Sequence, residues 1–382
     1  MQLGKRLASL VISDIRSMSR ACDAVGGINL GQGICDLPTP GPVADAARQA
    51  IADNKVIYTA AEGIAPLREA IAAKIQRHQG AAYDPKTEVV VTSGATGGFA
   101  AACLSLFDAG DEIILFEPFY GYHLNTVIAF GLVPVLAPTR PPSWEVDFKA
   151  LEKAITKKTR AIVVCTPSNP SGKVWSVGEL DRLAALLEEH DLLAITDEIY
   201  EHILYDGQRH VSLATRSREA RARTVTLSGL SKTFAITGWR LGYLAAPAEL
   251  ARRITVTHDL LYVCAPTPLQ HGVVAGLGMP DSYYEYLSRS YAVKRDILCS
   301  ALSDAGLTPY VPKGAYYVLA DVTRLGEKTS RAAAMKILEQ TKIASVPGTS
   351  FYADPVGETL CRFCFAKEDT VLEEAARRLR AL

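Results

Sequence analysis

The chain has 382 residues, 48% of them apolar and 21% charged, enough for one large core or two domains. Its 41 basic and 41 acidic residues cancel, so no overall field recruits nucleic acid or an anionic membrane. No run of about 18 apolar residues offers a transmembrane helix, and the apolar stretch in MQLGKRLASLVISDIRSMSR, broken by Ser13 and Asp14, is too short for a signal peptide.

In chain order, the first forty residues carry Gly31, Gly33, Pro38 and Pro40 and read as an irregular arm. From there short β-branched runs alternate with helix-length stretches. Strands are expected over 88–93, 112–116, 133–136, 161–165, 193–197, 224–228 and 241–245, with helices over 96–107, 177–190 and 248–261. Alternation of this kind implies an α/β protein whose mostly parallel sheet is covered by helices on both faces. The unbroken apolar run Ala161-Ile162-Val163-Val164 suits a strand buried on both sides. Beyond about residue 280 the pattern changes: a charged amphipathic helix over 281–305, short strands at 307–311, 315–320, 343–346 and 359–365, and a last helix from Asp369. The expected layout is a large α/β domain over 44–278, with an arm and a small α+β domain built from 1–43 and 279–382.

Eight cysteines are scattered, and only Cys361 and Cys364 are close. One C-x-x-C supplies half a zinc site at most, so they read as core thiols in a reducing cytoplasm, and no metal is expected. The seven histidines form no H-x-x-x-H or H-E-x-x-H and read mostly as surface or loop residues. There is no nucleotide-binding G-x-x-x-x-G-K-[ST] and no hydrolase G-x-S-x-G.

Ligands of open α/β sheets sit beyond the carboxyl ends of the strands, and chemistry-bearing residues follow the expected strands here. After 224–228 comes Ser228-Gly229-Leu230-Ser231-Lys232, with Arg240 eight positions beyond the lysine. Small neighbours let a bulky group approach the backbone, and the arginine offers a charge-assisted fork for a phosphate. Pyridoxal phosphate needs both groups, an amine for its aldehyde and a cation for its phosphate. After 88–93, Gly94-Ala95-Thr96 opens a helix whose free N–H groups and dipole suit the same phosphate, together with the hydroxyl of Ser228 or Ser231. Asp197, ending an apolar strand, needs a partner. A protonated pyridine nitrogen would be one, a helix or loop cap being the alternative. Tyr200 lies three residues on. After 161–165, Asn169-Pro170 and Ser171-Gly172 are turn formers in their own right, and after 112–116 comes Glu117-Pro118-Phe119-Tyr120.

Together these runs resemble the class I/II aminotransferases, the fold-type I pyridoxal-phosphate (PLP) enzymes, over nearly the whole chain. The resemblance implies the same two-domain fold and transamination of an L-amino acid to a 2-oxo acid. It implies that Lys232 holds PLP as a Schiff base and, once released, moves the α-proton. Asp197 keeps the ring nitrogen protonated, Asn169 and Tyr200 hydrogen-bond the ring oxygen, and Tyr120 stacks on the ring. Gly94, Ala95, Thr96, Ser228, Ser231 and Arg240 form the phosphate cup, although Gly229 stands where some members have a serine. Tyr58, in Tyr58-Thr59-Ala60-Ala61-Glu62-Gly63, matches the tyrosine that reaches the neighbouring subunit's phosphate, so a homodimer with shared sites is implied. Gly33, within Asn29-Leu30-Gly31-Gln32-Gly33, lies over the substrate, and Arg362 forks its α-carboxylate. Members acting on aspartate often carry a lysine where Thr96 stands. Its absence, with Tyr58, Tyr120, Tyr122 and Tyr262, points to a neutral substrate such as methionine, an aromatic amino acid or kynurenine, Ile15 and Tyr262 walling its pocket. Two alternatives share the fold: a C–S β-lyase or aminocyclopropane-carboxylate-forming enzyme, and a PLP-sensing module, which here would lack a DNA-binding head.

Overall fold

The computed structural model describes residues 14–382. A two-residue strand, β1 (Ile28–Asn29), precedes seven longer ones: β2 (Val89–Ser93), β3 (Glu112–Glu117), β4 (Val133–Pro138), β5 (Thr159–Cys165), β6 (Leu193–Asp197), β7 (Thr224–Gly229) and β8 (Leu241–Ala245). All seven fall on the apolar runs expected to form them. They make one sheet in the order β2-β8-β7-β6-β5-β3-β4. Only β8 runs against its neighbours. Burial on both faces explains the composition of β5, where Ala161, Ile162 and Val164 are fully enclosed. Helices close the faces. Ser176 and Glu179 form a reciprocal capping box ahead of Val177–Glu189, and Leu180, Leu183 and Leu187 turn its apolar stripe onto the sheet core.

The C-terminal part forms a smaller antiparallel sheet, in which β9 (Thr308–Tyr310), β10 (Tyr317–Asp321), β12 (Val346–Pro347) and β13 (Leu360–Cys364) pair in the order β12-β13-β10-β9. Between them β11 (Ile343–Ala344) pairs instead with β1, in parallel. The single strand expected over 343–346 is thus divided at Ser345 between two sheets.

The arm departs from the expectation of irregular chain, because Asp14–Ala24 is a helix. Met18 and Cys22, one turn apart, are both buried, and that i, i+4 pairing gives the segment a face to lay against the C-terminal core. Six of the eight cysteines are buried, Cys361 and Cys364 among them. Among the described residues no helix is long and apolar enough to cross a membrane.

Candidate active site

A cavity of about 200 Å³ opens where β2, β6 and β7 end, roofed by the arm and by β10 and β13. Its floor is Lys232. Burial pushes the Lys232 amine down to about 8, because charge is poorly solvated there. Nζ donates to the Gly33 carbonyl at 3.3 Å and lies 5.6 Å above the Tyr316 ring. The same carbonyl accepts from the Tyr316 hydroxyl at 3.1 Å, so the arm is tied to the lysine. No larger residue fits at Gly33, since a Cβ would fall 1.9 Å from the Tyr317 hydroxyl.

At one end of the cavity, Gly94, Ala95 and Thr96 open the helix Gly94–Leu106. Its first N–H groups have no intrahelical acceptor. Arg240 is held over them in the left-handed conformation (φ 56°), with Nη2 donating to Thr96 Oγ1 at 3.0 Å. Two glycines make the approach possible. A Cβ on Gly94, itself at φ 71°, would lie 2.7 Å from Arg240 Nη2, and one on Gly242 would lie 2.5 Å from the Ala95 nitrogen. The result is a small cationic cup of backbone N–H groups, guanidinium and the Thr96 and Ser231 side chains.

Asp197 ends β6 at the centre of the cavity. Its Oδ1 accepts from the Ile199 N–H at 3.2 Å, and its Oδ2 lies 3.2 Å from His123 Nε2. The Tyr120 ring, at the start of the helix Gly121–Ala129, is flanked by Tyr122 and His123 at 5.3 and 5.2 Å. Tyr200 donates to the Tyr317 hydroxyl at 3.2 Å, and burial pushes both phenols up, Tyr317 to about 12.

At the other end stands Arg362 on β13, 1% exposed. Nη1 donates to Asn169 Oδ1 at 2.8 Å and Nη2 to the Gly31 carbonyl at 2.6 Å, while the rings of Tyr317 and Phe351 cover its faces at 4.3 and 4.6 Å. Its Nε is buried with no acceptor. A buried guanidinium with a spare N–H beside an open cavity has the donors that a carboxylate can accept from. Ile15, Ile34 and Tyr122 supply the apolar wall, with Gln32 as a neutral polar group.

Three residues named from the sequence lie elsewhere. Ser228 does not reach the cavity, since its hydroxyl donates to Glu201 Oε1 at 2.6 Å and to the Glu198 carbonyl at 3.3 Å. Side chains alternate across a strand, and β7 turns Ser228 into the interior, which leaves Ser231 on the lysine turn to face the cup. Tyr58 is 80% exposed and absent from its own chain's cavity. Tyr262 packs its ring 5.0 Å from His258 rather than lining the pocket. Among the site residues not named from the sequence are Tyr317 and His123. Tyr317 is one of four adjacent small and aromatic positions in 314–317, with no motif to single it out. His123 belongs to a set read as surface residues, yet it and His258 are buried in helices. Its position three residues after Tyr120, one helical turn on, was the available signal.

The sequence profile described as "Aminotransferase class I and II" matches residues 25–379. The chain is 36% identical to the probable N-succinyldiaminopimelate aminotransferase DapC of Mycobacterium tuberculosis, over 99% of this chain and 98% of that protein. It is 32% identical to a methionine aminotransferase of Escherichia coli, over 99% and 97%, and 35% identical to kynurenine–oxoglutarate transaminase 3 of Mus musculus, over 93% and 84%. The solved structure of N-succinyldiaminopimelate aminotransferase from Mycobacterium tuberculosis superposes with a TM-score of 0.96, covering 99% of each chain. An α/β chain that matches over nearly its whole length, in sequence and in backbone, belongs to the class I and II aminotransferases, the enzymes that use pyridoxal phosphate to pass an amino group between amino and oxo acids.

Proposed function

We propose that Lys232 is the amine that anchors the cofactor's aldehyde and that the preferred donor is an L-amino acid with an uncharged side chain. The single observation that carries the first half is a buried lysine with a depressed pKa, placed between a cationic cup and an incompletely paired arginine. The donor set fits pyridoxal phosphate: Gly94 lets the Arg240 guanidinium come close to the first N–H groups of the helix Gly94–Leu106, and the Asp197 carboxylate has lone pairs to spare on the cavity side. When bound, that cofactor supplies an electron-withdrawing ring that stabilises negative charge at the substrate's α-carbon.

The chain's own groups then divide the work. Gly94, Ala95, Thr96, Ser231 and Arg240 bind the phosphate, and Asp197, oriented by His123, holds a proton on the ring nitrogen. Asn169 and Tyr200 hydrogen-bond the ring oxygen, and Tyr120 packs on the ring face. Arg362 orients the substrate through its α-carboxylate, with Gly33 and the arm excluding water above it. The Lys232 amine, when not bound to the cofactor, would serve as the base for the substrate's α-proton, a task suited to an amine whose pKa is pushed down to about 8. Among the described residues the cations lining the cavity are Lys232, Arg240 and Arg362, each already engaged, so a side-chain carboxylate finds no partner there. The wall of Ile15, Ile34 and Tyr122 supports an apolar or aromatic side chain instead.

The same reading makes the working unit a homodimer, with Tyr58 completing the partner's phosphate site. Ile57 (77% exposed), Tyr58 and Leu260 (81%) leave large apolar side chains in solvent, as an uncovered interface would. The division into units over 44–278 and over 1–43 with 279–382 belongs to this reading too, the cavity lying between the two main sheets.

The test is the visible absorption spectrum of the holoenzyme before and after addition of single L-amino acids without an oxo acid. Methionine, phenylalanine or kynurenine should convert the cofactor to its amine form and release one equivalent of oxo acid. Conversion by aspartate and glutamate alone would overturn the substrate class. Steady release of ammonia with an unchanged spectrum would replace transamination with β-elimination.

A further inference from the structure

A second hollow, of about 650 Å³, also reaches Lys232. Arm residues Gln32, Gly33 and Ile34 line the active-site cavity, and the residues that follow, Cys35, Leu37 and Pro38, line this groove. Its walls include the run 35–42, which leads from β1 toward the large sheet, and the helix Asp281–Asp304, which leads from the large sheet to the four-stranded one. The volume lies within the range of small-molecule sites.

The chemistry of its lining is selective. Leu37, Met279, Leu287 and Ile297 give an apolar floor. Tyr283 contributes a ring but no free hydroxyl, because it donates to the Thr233 carbonyl at 2.5 Å, while Tyr291 is fully buried with its hydroxyl 3.0 Å from Cys35 Sγ. Tyr286, 64% exposed, stands at the rim. The Lys294 ammonium is withdrawn, donating to the Lys367 carbonyl at 2.7 Å and to Asp369 Oδ1. What remains on the solvent side is acid. The Asp369 side chain is 77% exposed with one oxygen unused, and the exposed Glu373 has no hydrogen-bond or ion-pair partner among the described residues. Aromatic faces beside the unpaired Glu373 carboxylate favour a cation and disfavour an anion.

We propose that this groove is a second ligand site, for a small organic cation with an apolar or aromatic body. The body lies against the rings of Tyr283 and Tyr286, and the charged end lies beside Glu373. Such a ligand does not need Arg362 or the Arg240 cup, so it occupies the groove whether or not the substrate cavity is filled.

The test is calorimetric titration of the holoenzyme with benzyltrimethylammonium, a quaternary cation that cannot react with the cofactor's aldehyde, and with benzenesulfonate as the anionic counterpart. The cation should bind once per chain and the sulfonate at least about tenfold more weakly. Glu373→Gln should weaken the cation about three- to tenfold, the loss of one exposed charge partner, and Ser290→Trp, which fills the groove, should abolish binding. An unchanged visible spectrum shows that each variant is folded around its cofactor, and if Ser290→Trp fails to fold, the exposed Glu373→Gln decides alone. Equal affinity for cation and sulfonate, no saturable binding of the cation, or undiminished binding in Glu373→Gln would overturn the proposal.

Discussion

Asp197 and Glu201 both follow the apolar core of β6, and they face opposite sides of the sheet end. Glu201 points inward, where its carboxylate accepts from Lys74, from Ser228 at 2.6 Å, from Gln79 at 2.7 Å and from Tyr243 at 3.2 Å. Burial alone would raise its pKa, but the Lys74 ammonium, with His202 and His210, overrides that and holds the carboxyl well below the usual range. Asp197 points into the cavity with two partners, a backbone N–H and His123. A buried acid with every lone pair engaged welds its surroundings together, while an acid left partly unengaged at a cavity wall is held ready for a ligand. Both are acids within five residues at the end of β6; partner count and direction separate them.

The sharpest way to break this comparison is to neutralise each acid. Asp197→Ala should lower kcat about 10²- to 10⁴-fold while the melting temperature barely moves, measured by steady-state turnover and scanning calorimetry. Glu201→Leu should do the reverse. It strands the Lys74 ammonium in the interior at a cost of about 3–5 kcal/mol in denaturant unfolding, with the folded fraction turning over within a few fold of wild type. If Glu201→Leu lost activity and kept stability, the two acids would not divide as argued.

Arg362→Lys tests whether the spare Nε is kept for a carboxylate. A lysine keeps the charge and loses the fork, so KM for the amino acid should rise about 10- to 100-fold, with a smaller change in kcat. His123→Phe, which frees Asp197 to turn, should cost about five- to tenfold in kcat/KM. The smallest expected effect is a pH dependence of the apoprotein. The folded Lys232 amine titrates near 8, and the unfolded one near the ordinary lysine value. Between the two the unfolded chain binds more protons, so stability should rise as pH climbs through that window. The rise should be absent in Lys232→Met, as read by urea midpoints at pH 7.5 and pH 10.

Much of this arrangement could be read before any coordinates. Seven sheet strands are visible because double-sided burial leaves unbroken apolar runs, and the residues that follow them are forced toward the carboxyl edge. Lys232, Asp197 and Asn169 come together for that reason, while Arg240 precedes β8 and Arg362 is brought in on β13 of the smaller sheet. What could not be read depends on direction and on distant partners. Ser228 and Ser231 are equivalent as letters, and only the pleat of β7 sends one to Glu201 and leaves the other at the cup. His123 is anonymous until Asp197 folds against it. The helix Asp14–Ala24 was hidden because its apolar stripe rests on Met18 and Cys22 amid polar residues.

Every role proposed for the cavity depends on Lys232 carrying the cofactor. Reduction of the holoenzyme with borohydride, followed by proteolysis and peptide mass mapping, fixes the cofactor on whichever lysine holds it. The expected result is one pyridoxyl phosphate per chain, attached at Lys232 and nowhere else. A label on another lysine, or none on a protein that retains its visible band, would contradict it.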